Sequence, residues 1–164
     1  MTGAADARRR PSVLFVCMGN ICRSPTAEAI FRHLAPSLAP GIEFELDSAG
    51  THGYHIGAPP DARSQHAAQR HGIDMSDLRA RRLAPADFGR FDWIVCMDES
   101  NRRDALAIAR DRAHPRVVRL LDFAPAQPLR DVPDPYYGEG AEFARVVTLI
   151  EAGVRGLIAA LRNA

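Results

Sequence analysis

The sequence predicts one three-layer α/β domain, a parallel sheet covered by helices on both faces. Short apolar, β-branched runs at residues 13–17, 42–46, 91–97 and 117–121 alternate with longer stretches of helical period. That alternation builds βαβ units, whose helices bury both faces of a parallel sheet. At 164 residues the chain suits one domain with a full core, and nothing in it marks a second. Residues 1–11 are small, polar and basic, with Arg8, Arg9 and Arg10 just before the first strand. They are expected to form a disordered tail, and residues 12–164 the domain.

Taken in order, residues 13–17 are too short and too β-branched for a helix and feed a loop that closes on Arg23-Ser24-Pro25. Pro25 suits the first turn of a helix and Ser24 its N-cap. Ala27, Ile30, Phe31 and Leu34 recur at helical spacing, and the helix is expected to end before Pro36. Residues 42–46 alternate apolar and charged, a strand with one solvated face, and residues 47–51 then cross the top of the sheet. Residues 61–71 read as a helix stopped by Gly72. Residues 91–97 form the next buried strand, and residues 98–112 a helix with acidic residues at its positive end, broken by His114 and Pro115. Residues 117–121 form the last strand. A long proline-rich loop, 122–140, precedes a closing amphipathic helix over 142–162, and a loop of that length in a compact domain is usually functional.

Composition excludes several classes. The net charge is +1, whereas a nucleic-acid binder usually carries a strongly basic domain or stripe. All 21 basic residues are arginine. The three cysteines, Cys17, Cys22 and Cys96, are too few and odd in number for a disulfide framework, so a reducing, cytoplasmic setting is expected. No stretch approaches membrane-spanning length, and no signal-peptide core precedes the first strand. His52 and His55 lack partners at metal-ligand spacing, so no metal and no cofactor is expected.

The first loop carries the chemistry. Gly19 and Asn20 tolerate left-handed backbone angles, so the loop can curl with its N–H groups inward, on the positive end of a helix. Arg23 offers a planar fork for two oxygens of a phosphate. Cys17 stands at the strand end facing the same hollow, where such donors favour a nucleophilic thiolate. A cysteine at a strand end is ordinarily inert core, and Cys-x5-Arg recurs by chance. Here the strand, the Gly-Asn interior and the Ser-Pro helix start all fit one anion-cradling geometry. Neither Gly-x-Gly-x-x-Gly nor Gly-Lys-Ser follows the strand, which excludes dinucleotide and Walker-type sites.

The run from Cys17 to Glu28, CMGNICRSPTAE, resembles the phosphate-binding loop of the low-molecular-weight protein tyrosine phosphatases. Their second signature, Asp-Pro-Tyr-Tyr-Gly, stands at residues 134–138, and Ser48-Ala-Gly-Thr and Cys96-Met-Asp-Glu-Ser-Asn are lesser matches. Together with right-handed crossovers, the resemblance implies four strands in the order 2-1-3-4. The site then falls where the order reverses, at the end of the first strand. It implies that Cys17 attacks phosphorus and that Arg23, with the loop residues Met18, Gly19, Asn20, Ile21 and Cys22, holds the oxygens. Ser24 would assist the sulfur, while Asn20, Ser24 and Ser48 support the loop. Asp134 would act as general acid and then base, and Tyr54, Tyr136 and Tyr137 would wall a slot deep enough for phosphotyrosine. Cys22 resembles a partner that forms a reversible disulfide with Cys17, and the tyrosine pair resembles a phosphorylated one. Implied partners are phosphotyrosine proteins, a polysaccharide-associated tyrosine kinase among them, with the enzyme a monomer or weak dimer.

One departure is Leu78, where the family often has a histidine supporting the loop. Three rival functions share parts of this pattern. A thiol-dependent arsenate reductase needs relay cysteines, for which Cys96 is a candidate although Arg103 stands seven residues on. A protein arginine phosphatase carries threonine at the position of Ile21 and lacks the tyrosine pair. A non-catalytic phosphate-binding module would be expected to have lost Cys17 or Asp134.

Overall fold

The first strand decides the architecture because both of its faces are dry. In β1 (Ser12–Cys17), Val13, Phe15 and Cys17 join one hydrophobic cluster while Leu14 and Val16 join another, the two-residue period of a strand buried on both sides. The computed structural model describes residues 10–110 and 116–164. In it β2 (Glu45–Gly50), β1, β3 (Trp93–Cys96) and β4 (Arg116–Arg119) lie side by side in that order, all parallel. This is the predicted 2-1-3-4 sheet. The helices α1 (Arg23–Leu38) and α5 (Gly140–Arg162) cover the face of Phe15. The helices α3 (Asp87–Arg90) and α4 (Glu99–Ala109) cover the face of Leu14. α2 (Ala62–Gln69) starts beside the first loop, where the Asp61 N–H donates to the Ile21 carbonyl at 2.8 Å. No described helix is long and apolar enough to cross a membrane.

Several boundaries differ from expectation. α1 begins at Arg23 with Cys22 as N-cap and no side-chain cap bond, so Ser24 is not the cap. Its hydroxyl is engaged with Cys17 instead. α1 also runs through Pro36 to Leu38, because the proline falls in the last turn where few bonds remain to be lost. β2 starts at Glu45 rather than at residue 42 and includes residues expected to form a loop. Pairing with β1, Ser12 opposite Glu45 through Cys17 opposite Gly50, carries Ser48 and Ala49 into the sheet. β4 ends at Arg119, and Leu120–Phe123 turn into a 3₁₀ helix. Gly19 does not adopt a positive φ, although Asn20 does at 57°. Residues 1–9 of the expected tail, and His114 and Pro115, lie outside the described residues.

Candidate active site

Cys17 ends β1, and the chain then wraps back over its sulfur. The Asn20 N–H donates to Sγ at 3.3 Å, and Ser24 Oγ lies 3.0 Å from it. Which atom donates in the second contact follows from the neighbours. The Arg81 N–H donates to Asn20 Oδ1 at 2.9 Å, which fixes the orientation of the Asn20 amide. Asn20 Nδ2 therefore donates to Ser24 Oγ at 2.8 Å and to Ser48 Oγ at 3.0 Å. With its oxygen accepting from Asn20, Ser24 turns its own proton to the sulfur. Ser48 Oγ donates to Glu28 Oε1 at 2.7 Å, and burial pushes that carboxyl above its ordinary range. The loop is thus held from behind by Asn20, Ser24, Ser48 and Glu28, all buried. Leu78 is half-buried against the core and gives the loop no polar support.

Arg23 is 2% exposed yet charged on three sides. Nη1 donates to Asp98 Oδ2 at 2.6 Å and to the Val132 carbonyl at 3.0 Å. Nη2 lies 3.6 Å from Asp134 Oδ2. Burial opposes its charge, but Cys17, Asp98 and Asp134 outweigh burial and hold the guanidinium ionised. Asp98 meanwhile caps α4 by accepting from the Asn101 N–H at 2.7 Å. Asp134 is placed by the turn it opens, its Oδ1 accepting from the Tyr136 N–H at 3.1 Å. Just upstream, Val132 is fully buried and its N–H donates to the Met97 carbonyl at 2.9 Å, so the acidic loop is pinned to the end of β3.

These groups open into one cavity of about 320 Å³ lined by Cys17, Met18, Gly19, Ile21, Cys22 and Arg23 at its floor and by Tyr54, His55, Asp134, Tyr136 and Tyr137 at its walls. Every cavity residue expected from the sequence is there except Asn20 and Ser24, which lie behind the loop. Three residues were missed. His55 is a wall, and a Cβ on Gly19 would stand 3.0 Å from its ring, so Gly19 serves close approach rather than a left-handed turn. Asp98 clamps Arg23, and Glu28 ends the support chain. Asp98 was legible in principle, as an acid just beyond the end of β3, the edge of the sheet where ligands bind. The described residues hold no cluster of metal-ligating side chains.

The family model for low molecular weight phosphotyrosine protein phosphatases matches residues 12–164. The chain belongs to this family. The low molecular weight protein-tyrosine-phosphatase YfkJ of Bacillus subtilis is 42% identical over 152 residues, 93% of this chain and 96% of YfkJ. The human low molecular weight phosphotyrosine protein phosphatase is 46% identical over 136 residues, 82% and 85% of the two chains. Among solved structures, a protein tyrosine phosphatase from Entamoeba histolytica with Hepes in its active site superposes with TM-score 0.87 at 34% identity, covering 93% and 97% of the chains. Wzb of Vibrio vulnificus in complex with benzylphosphonate superposes with TM-score 0.77 at 25% identity, covering 93% and 99%. This low-molecular-weight protein tyrosine phosphatase is accordingly a hydrolase.

Proposed function

We propose that this phosphatase hydrolyses phosphotyrosine in proteins through a phosphocysteine intermediate, on Cys17, Arg23 and Asp134. The observation that carries the reading is that all three face one slot between aromatic walls, with Arg23 reaching both Cys17 and Asp134. An aryl ring between Tyr54 and Tyr136 places its phosphate at the slot floor. Benzylphosphonate, held by the related Wzb, has that shape. Arg23 and the inward N–H groups bind the equatorial oxygens, and Cys17 Sγ attacks phosphorus opposite the phenolic oxygen. The P–O bond to the ring breaks, and Asp134 gives its proton to the departing phenolate. Asp134, now a carboxylate, takes a proton from water as that water attacks the phosphocysteine. Sγ leaves as a thiolate accepting from Ser24 and Asn20.

Aryl phosphate turnover with a chelator present tests this. Cys17→Ser is expected to abolish turnover, and Asp134→Ala to slow it by about 10²–10⁴, most for poor leaving groups. An active Cys17→Ser variant would overturn the assignment. Cys22 opens into the same slot as a free thiol, and we extend the proposal to a protective disulfide. Peroxide converts Cys17 to a sulfenic acid, and Cys22 sulfur displaces its oxygen as water. Activity lost to peroxide should return with dithiothreitol in the wild type and fail to return in Cys22→Ser. A relay through Cys96 gains no support, since its side chain is fully buried on the opposite face of the sheet from Cys17.

A further inference from the structure

We infer that a basic groove between α2 and α5 receives acidic residues flanking the phosphotyrosine of a protein substrate. The inference rests on the phosphotyrosine reading of the slot and adds a preference for the sequence around it.

α2 leads away from the site. Asp61 caps its start, 2.8 Å from the Ile21 carbonyl of the phosphate loop, so each later turn lies farther from Cys17. Arg63, His66 and Arg70 follow at spacings of three and four and share one face. Beside that face is a second cavity of about 350 Å³, lined by these three side chains and by Ala67, Gly140 and Ala144. The cavity exists because α5 opens with Gly140 and presents Ala144, too small to fill it. Its lining is basic and small, and no carboxylate contributes to it.

Arg63 lines the groove and packs against Tyr136, a wall of the slot. Its guanidinium lies 5.6 Å from the Tyr136 ring centre and 4.5 Å from that of Phe143, and Nη1 donates to the Gly138 carbonyl at 3.4 Å. Asp61 already neutralises it, at 2.9 Å. His66 and Arg70 are exposed, and no carboxylate pairs with either among the described residues. The groove therefore offers its free charge at its far end. Helical rise places Arg70 about 10 Å beyond Arg63. An extended peptide advances about 3.3 Å per residue, so a glutamate two to five positions from the phosphotyrosine reaches it.

The test compares four substrates: an aryl phosphate, a phosphotyrosyl peptide with neutral flanks, and two versions of that peptide with glutamates two to five positions away, one on each side. Wild type should favour one acidic peptide over the neutral one by about three- to tenfold in kcat/KM, the range expected of a few exposed charge contacts. The double substitution His66→Glu and Arg70→Glu should erase that preference, with the aryl phosphate and neutral peptide changed by less than about twofold. Rising salt should erase it in wild type. Equal rates on all three peptides in wild type overturn the groove, and so does a preference that survives the double substitution, which places recognition outside the groove. Failure of wild type on the aryl phosphate and neutral peptide would instead defeat the phosphotyrosine reading itself.

Discussion

Asp98 does two tasks with its two oxygens, capping α4 with one and gripping Arg23 with the other. The tasks can be separated, since asparagine caps a helix as well as aspartate but carries no charge for the guanidinium. Asp98→Asn should fold normally while kcat/KM on an aryl phosphate falls about 10- to 100-fold, the cost of a misplaced positioning group. Inhibition by inorganic phosphate should weaken in parallel, and unchanged kinetics would show that Val132 and Asp134 hold Arg23 without the Asp98 charge. The cysteines differ just as sharply. Burial pushes the Cys22 thiol up to about 12 and Cys96 higher still, so neither presents a thiolate at neutral pH. Iodoacetamide at pH 7 should label Cys17, which faces the slot, and spare the other two by peptide mapping. Labelling of Cys22 at a comparable rate would contradict that. Cys17, Arg23 and Asp134 were legible because residue type and spacing announce an anion cradle. Asp98 is 75 residues from Arg23, and no local pattern links them.

Between elements, contact is closest where α5 crosses the 3₁₀ helix after β4. A Cβ on Gly156 would sit 1.8 Å from the Phe123 carbonyl oxygen, and one on Gly153 would sit 2.5 Å from Leu120 Cγ. Gly→Ala within a helix ordinarily gains up to about 1 kcal/mol. Here the methyl meets backbone that cannot swing aside, so Gly156→Ala should destabilise the fold by about 1–3 kcal/mol in urea unfolding. A neutral or stabilising result would mean that the 3₁₀ turn is free to shift. The sequence showed α5 by its period but not this contact, which depends on where the chain goes after β4. The misplaced β2 has a related cause. Its polar residues, Asp47 and Ser48, read as loop until their partners are known, which are Arg81 for Asp47 and Asn20 and Glu28 for Ser48.

At the scale of the molecule, periodicity was enough for the layers, because strand burial and helical stripes are written locally, while the strand order needed the right-handed crossover rule and the family resemblance. The support behind the site was not legible that way, because Glu28, Ser48, Asn20 and Arg81 come from four segments that meet only in the folded chain. That buried chain gives the whole fold a pH signature. Burial raises the Glu28 carboxyl above the ordinary 4.5, so across the window from there upward the folded state binds more protons than the unfolded one. Stability from this group is therefore lost as pH rises through that window. Asp61 and Asp74 work the other way, since hydrogen bonds from Arg63 and Ser76 lower them, and their contribution, full above 3.8, is lost as pH falls below it through their lowered range. Comparing wild type with Glu28→Gln cancels those shared groups. Glutamine keeps the shape and can still accept from Ser48 without bearing a charge. Its stability relative to wild type in urea should rise as pH climbs above 4.5 and level off once the folded-state carboxyl has ionised. A difference constant across that range would mean that Glu28 ionises in the folded protein as freely as in the unfolded chain, and that the polar chain behind Cys17 ends in an ordinary carboxylate.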